Sequence, residues 1–138
     1  MLQQLAPKYI ATGKAKLVYH NYAVIGQESL WAAQAALCAS DQNKFWAYAI
    51  NLFDHQTSEN SGTFAIANLE QFAAQLGLTT TTFNACLDSG KYSNQVQQDL
   101  TTGEQRGVQA TPTFFINGQI HEGVLSLDDF SSLIDSAQ

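Results

Sequence analysis

A proline followed by a strand-forming run and an Asn-Gly turn constrains the fold of this chain more than any other feature. The segment runs from Thr111 to Gly118 and reads TPTFFING. Proline cannot donate to a sheet ladder, so Pro112 belongs at the start of a strand. The β-branched and aromatic residues after it favour a strand, and the Asn117-Gly118 dipeptide favours a type I′ turn. The segment therefore predicts a hairpin whose second strand spans 119–122.

Most of the remaining chain has apolar residues at helical spacing. The sequence predicts a first helix over 2–11 that is interrupted by Pro7 and ends near Gly13. Over 15–22, side chains that alternate between two faces predict a strand. From Glu28 to about Gly103 the pattern predicts five helices. Their apolar stripes include Trp31, Ala35 and Cys38; Phe45, Ala49, Leu52 and Phe53; Leu69, Phe72, Ala73 and Leu76; Phe83, Cys86 and Leu87; Tyr92, Val96 and Leu100.

Capping residues set the expected helix ends. Asp41 is a candidate N-cap for the helix that carries Phe45, and Thr79 or Thr80 for a later one. Ser126 and Asp129 form a capping-box-like pair before a final amphipathic helix. The order is helix, strand, helical block, two strands and helix. It predicts an α/β fold as one domain over 1–138, with a helical insertion over 24–103.

Composition excludes several function classes. The net charge is −6 and the six basic residues are scattered, so a nucleic-acid or anionic-membrane surface is not expected. No apolar run approaches the 18 residues of a membrane span. The N-terminus has neither the charged nor the apolar region of a signal peptide. His20, His55 and His121 have no ligand spacing, so no metal site is predicted.

Several motifs together resemble the DsbA-like thiol-disulfide oxidoreductases of the thioredoxin fold. The Thr-Pro-Thr-Phe-Phe segment is similar to that family's cis-proline loop. Lys44 to Tyr48, with Leu52-Phe53 after it, resembles the family's helical insertion, as do Gly26 to Ser29 and Gly107-Val108. The resemblance covers nearly all of the chain.

The resemblance implies a thioredoxin-like fold with an inserted helical subdomain, acting on protein or peptide thiols and disulfides without a cofactor. It assigns substrate docking to Thr111 and Pro112, joined by a cis peptide bond, and makes the helical block a lid. A loop of this kind leaves the backbone of the preceding residue free to pair with an extended substrate. The family context also implies an extracytoplasmic location.

One departure from the family is large, because the chain contains no Cys-x-x-Cys. We therefore expect that the N-terminal strand or strands and the start of the first helix lie outside this chain, which should be inactive alone. In the resembled fold a central strand lies between 15–22 and 113–117. Without it those strands pair directly, a partner supplies a strand, or two edges stay unpaired. We expect reduced stability or homo-oligomerisation through that gap.

The two cysteines, Cys38 and Cys86, are too far apart for a redox motif and too few for a zinc site. As residues of apolar helical stripes they fit two buried free thiols. The family resemblance instead favours a structural disulfide between them, which implies an oxidising compartment. A third alternative makes them the redox pair itself. Against it, Cys38 lies near a helix C-terminus, where the dipole disfavours a thiolate.

Two other functions stay open at this point. The first is a non-catalytic thioredoxin-like binding or structural module that has lost its redox site. The second is a relative of the glutathione transferases, which also use a cis-proline. Such a relative would normally carry a larger all-helical C-terminal domain, and the sequence shows none.

Overall fold

The computed structural model describes residues 2–137, with side chains from Gln4 onward. Its helices and strands, in chain order, are α1 (Leu2–Leu5), a π-helical turn (Ala6–Ile10), α2 (Gln27–Ser40), α3 (Phe45–Asp54), α4 (Ile66–Gln75), α5 (Thr80–Asp88), α6 (Ser93–Gln105), β1 (Thr113–Ile116), β2 (Gln119–Glu122) and α7 (Leu127–Ser136). The chain forms two compact units. We call Asn21–Thr102 the helical unit, and the chain up to His20 together with the chain from Gly103 the hairpin unit. That the helical unit is an insertion within one domain stays a prediction.

The first helix changes from α-helical to the wider π-helical geometry around Pro7. Pro7 has no backbone N–H, and the segment from Ala6 to Ile10 is π-helical. The Ala11 N–H donates to the Ala6 carbonyl over 2.8 Å, one residue further back than in an α-helix. The segment ends at Ile10 with Ala11 as its C-cap. The predicted cap, Gly13, lies in the turn that follows, at φ +73°, and its N–H donates to the Ile10 carbonyl.

The predicted hairpin is confirmed in position and register. Thr113 pairs with Glu122 and Ile116 with Gln119, antiparallel. Asn117 and Gly118 both have positive φ, as a type I′ turn requires. The sheet of the described residues contains these two strands alone.

The core of the hairpin unit lies between the hairpin, the N-terminal helix and α7. Its buried members are Leu5, Tyr9 and Phe130. The Phe130 ring meets that of Phe114 edge to face, with centroids 4.7 Å apart. The predicted capping box begins α7: the Asp129 N–H donates to the Ser126 hydroxyl, and the Ser126 N–H donates to the Asp129 carboxylate.

The helical unit is built around a second core, to which α2, α3, α4 and α5 all contribute. Tyr48 is fully buried at its centre, and its hydroxyl donates to the Leu69 carbonyl over 2.7 Å. Burial raises the pKa of the Tyr48 phenol. The half-buried Glu28 carboxylate accepts from the N–H groups of Gly62 and Phe64, which fixes the loop before α4.

The predicted strand over 15–22 is wrong. Residues 15–24 have no regular secondary structure. Leu17 and Val18, which lie on opposite faces of the alternating pattern, are 37% and 57% exposed, and the buried residue of the segment is the polar Asn21. A strand needs a neighbour for its backbone groups, and the sheet consists of β1 and β2 alone within residues 2–137. Over the described range 2–137, this segment therefore does not pair with β1, and β1 has a strand partner on one side only.

Two smaller expectations also fail, and a third is confirmed in position only. Lys44, not Asp41, occupies the N-cap of α3, because Asp41 lies at the C-terminal end of α2. Phe53 was expected in a buried stripe but is 60% exposed. Thr79 is the N-cap of α5 by position, yet its side chain forms no capping hydrogen bond.

Candidate substrate-docking loop

The loop before β1 carries Thr111 and Pro112, the two residues to which the family resemblance assigns substrate docking. The Thr111–Pro112 peptide bond is cis. The Pro112 carbonyl accepts from the Gly123 N–H over 2.8 Å, which extends the hairpin ladder by one bond. The Thr113 hydroxyl donates to the Ala110 carbonyl over 2.7 Å and closes the turn from the other side. The loop is thus held by main-chain carbonyls at both ends.

Thr111 presents open backbone groups at the surface. Thr111 and Pro112 are both exposed. Within residues 2–137, no hydrogen bond uses the Thr111 N–H or its carbonyl. An extended peptide can pair with such a donor and acceptor as a strand pairs with a sheet edge. The adjoining Pro112 adds no N–H that a substrate would have to satisfy.

A guanidinium flanks the same strand. The Arg106 guanidinium carbon lies 3.8 Å from the centroid of the Phe115 ring, a cation–π distance. Arg106 is exposed, and no basic residue follows it in the sequence. Sequence reasoning did not single it out. The sequence feature that could have pointed to Arg106 is its position as the last lysine or arginine of the chain, five residues before Thr111.

The two cysteines lie in the helical unit and are joined to each other. Cys38 of α2 and Cys86 of α5 form a disulfide with their Cα atoms 5.9 Å apart. They are 1% and 8% exposed, so the bond is buried. No free cysteine is present in the described part of the chain. The structure therefore places no thiolate at the docking loop, and burial makes the bridge a poor redox pair.

A polar cluster covers the disulfide at the surface of the helical unit. The Asp41 carboxylate accepts from the Lys91 ammonium over 2.7 Å and from the Tyr92 hydroxyl over 2.5 Å. It also lies 3.9 Å from the Cys86 sulfur. The hydrogen bond from Lys91, and then that from Tyr92, lower the pKa of Asp41 below its ordinary value of 3.8.

This cluster predicts a pH-dependent contribution to stability. A carboxyl with a depressed folded pKa stabilises above its unfolded pKa, and the contribution is lost as pH falls through the folded value. Asp41→Asn should lower the free energy of unfolding at pH 6 by at most about 1 kcal/mol, because the cluster is at the surface. The difference should shrink as the pH falls through the lowered pKa of Asp41, and should be smaller at pH 2 than at pH 6. Urea unfolding at both pH values measures it, with the exposed Asp88→Asn as control. An equal deficit at both pH values would contradict this account.

The described residues contain neither a candidate metal centre nor a bilayer-spanning segment. No group of three or more His, Cys, Asp or Glu side chains is arranged to hold an ion in the part of the chain that the structure describes. Nor is any helix over that range long and apolar enough to cross a bilayer.

The hairpin, its packed C-terminal helix and the proline loop define a thioredoxin-like protein. A family model described as thioredoxin matches residues 1–136. The chain belongs to the thioredoxin family, and the predicted resemblance to DsbA-like proteins is confirmed.

The chain is also similar to three proteins of known name or structure. Na⁺/H⁺ antiporter NhaA 1 of Salinispora arenicola is 31% identical over 118 residues, which are 86% of this chain and 16% of that protein. The probable disulfide bond formation protein D of Bacillus anthracis is 26% identical over 137 residues, 96% of this chain and 61% of that protein. The crystal structure of oxidised BdbD from Bacillus subtilis superposes with a TM-score of 0.86 at 22% identity, covering 99% of this chain and 76% of that one. The chain thus spans less than two thirds of either curated relative.

Proposed function

We propose that this chain acts in thiol–disulfide exchange with proteins or peptides, and that its Thr111–Pro112 loop docks the substrate. The observation that carries the proposal is the exposed Thr111 backbone, whose N–H and carbonyl are unused within the described residues. The name of the Bacillus anthracis relative, a disulfide bond formation protein, supports the same activity.

The chemistry needs a Cys-x-x-Cys segment acting with this chain, because these 138 residues contain none. One cysteine thiolate of that segment attacks a substrate disulfide, forms a mixed disulfide and releases the other substrate sulfur as a thiolate. The second cysteine then attacks the mixed disulfide. The segment ends oxidised and the substrate reduced, and the reverse sequence oxidises a substrate dithiol.

The outer edge of β1 supports this arrangement. In the resembled fold the strand that leads into the Cys-x-x-Cys helix pairs beside the cis-proline strand. Here that side of β1 has no strand partner within residues 2–137. Without such a segment, the open edge favours pairing between copies of the chain. An oxidising, extracytoplasmic compartment is part of the proposal, supported by the Cys38–Cys86 disulfide.

A peptide titration followed by NMR tests the docking loop. We expect an extended peptide with one cysteine to shift the Thr111 amide signal of the ¹⁵N-labelled chain. The reason is that backbone pairing gives the Thr111 N–H a new acceptor. A peptide with N-methylated backbone amides is the matched control and should bind more weakly. A Thr111 signal that moves no more than that of Gly77, in the helical unit, would contradict docking at this loop.

The second candidate function is a non-catalytic binding module. The observation that favours it is the antiporter relative, of which the matched region makes up 16%. The coding sequence upstream of Met1 separates the two functions. An in-frame strand followed by Cys-x-x-Cys supports the oxidoreductase, whereas a stop codon directly upstream supports the module.

A further inference from the structure

The hairpin has a second open edge, on the outer side of β2. In a hairpin with a two-residue turn, Ile116 and Gln119 form the hydrogen-bonded pair next to the turn, and bonded pairs recur at every second position. The hydrogen bond from the Gly123 N–H to the Pro112 carbonyl agrees with this alternation of bonded and non-bonded pairs. The N–H and carbonyl groups of Ile120 and Glu122 therefore point outward, away from β1. This edge stays open whichever segment pairs with β1.

Within residues 2–137, the outer edge of β2 is protected only by its short length and by the charge of Glu122. Edge strands are commonly protected by lysine, proline, a bulge or a covering element. The β2 sequence is QIHE, with neither lysine nor proline, and its register with β1 is regular. Ile120 is 44% exposed and Val124, just beyond the strand, is 84% exposed. Apolar side chains thus accompany the open backbone groups.

Glu122 is the acidic residue of the edge strand. Four acidic residues and no lysine or arginine follow Arg106 in the sequence, and the Arg106 guanidinium lies over Phe115, the cross-strand partner of Ile120. Asp135 has a cation nearby, since the Lys8 ammonium lies 3.9 Å from it. Glu122 lies on the edge strand itself, is exposed, and has no ion-pair partner among the described residues. A partner strand with a cationic side chain opposite Glu122 would be complementary to this charge.

A cavity of about 360 Å³ adjoins β2 on the face that packs against α7. Ile116 and Leu133 give it an apolar wall, and His121 and Gln119 of β2 lie at its side. Side chains of a paired strand alternate between the two faces of the sheet. Every second residue of a docked strand would therefore lie on the cavity side, where an apolar side chain fits.

We propose that the outer edge of β2 binds an extended segment of a partner protein in which Lys or Arg alternates with apolar residues. The segment adds a third strand through the backbone of Ile120 and Glu122. A cationic side chain meets Glu122, and apolar side chains face the cavity. A second copy of this chain fits less well, because two β2 strands would bring their Glu122 carboxylates close together.

Two synthetic peptides test the proposal, one of eight residues alternating Lys and Val and one alternating Glu and Val. We expect the Lys peptide to shift the Ile120 and Glu122 amide signals of the labelled chain and to bind at least about tenfold more tightly than the Glu peptide. Ile120→Pro removes the outward N–H without touching the ladder to β1. It should weaken binding about tenfold, whereas Ile120→Val, which keeps that N–H, should bind like the unchanged chain.

A charge variant and the unchanged chain complete the test. Glu122→Gln should weaken binding of the Lys peptide about threefold, and Glu70→Gln in the helical unit should leave it unchanged. The Ile120 and Glu122 amide shifts of the unchanged chain test the proposal even if the Ile120→Pro variant does not fold. Equal affinity for both peptides, or shifts at Thr111 instead of Ile120, would overturn the proposal. Dimerisation through β2 without peptide would do so as well.

Discussion

A chimera that carries a strand and a Cys-x-x-Cys helix start from a DsbA-like protein, joined in front of Leu2, is expected to reduce insulin in the presence of dithiothreitol. The chain alone should not exceed the dithiothreitol background, since its described cysteines are bridged and buried. A cysteine at a helix start is mostly thiolate at pH 7, whereas an ordinary thiol is only a few per cent ionised. We therefore expect the chimera to be at least about tenfold faster than background.

A matched control separates the added cysteines from the added strand. The same chimera with both cysteines of the motif replaced by serine should fall back to the background rate. It should still fold, because the strand that pairs with β1 is retained. If the chain without the added segment reduces insulin well above background, Cys38 and Cys86 are the redox pair after all, and the structural assignment of that disulfide is wrong.

Removal of the Cys38–Cys86 disulfide is expected to cost the chain about 4 kcal/mol of unfolding free energy. The two residues are 48 positions apart, and the cross-link lowers the entropy of the unfolded chain by closing that loop. The double variant Cys38→Ala, Cys86→Ala removes the bond and only small buried side chains. Urea unfolding of this variant and of the unchanged chain, with and without reductant, measures the effect.

Two further results bear on the same bond. Reductant should destabilise the unchanged chain by a similar amount and leave the double variant unaffected. Intact mass after alkylation should show no labelled thiol before reduction and two after it. Two labelled thiols in the unreduced protein, or a double variant as stable as the original, would remove the disulfide from this account.

The elements that sequence reasoning placed correctly are those fixed by local chemistry. Asn117-Gly118 sets the turn by its backbone preference, and Ser126 with Asp129 begins α7 through contacts three residues apart. The disruption at Pro7 follows from one missing N–H. Each of these signals acts within a few residues, so each can be recognised without knowing the rest of the fold.

The features that the sequence predicted wrongly depend on residues that are distant in the chain. The segment 15–22 has the composition of a strand, but no strand lies beside it in the described part of the chain, and strand propensity alone does not supply the hydrogen bonds. Asp41 looked like a cap, yet its carboxylate binds Lys91 and Tyr92, about fifty residues later. The docking loop was recognisable from Pro112, but the position of Arg106 over Phe115 was not, because it depends on the path of the chain between these two residues.

The most direct test of the docking loop is the kcat/KM for insulin of the chimera with and without Pro112→Ala. The substitution restores an N–H and removes the ring that shapes the loop, so backbone pairing at Thr111 should be lost. We predict a fall of about tenfold or more. Pro7→Ala, which changes the only other proline of the chain, is the matched control and should leave the rate unchanged. Equal rates with and without Pro112→Ala would contradict the claim that this loop docks the substrate.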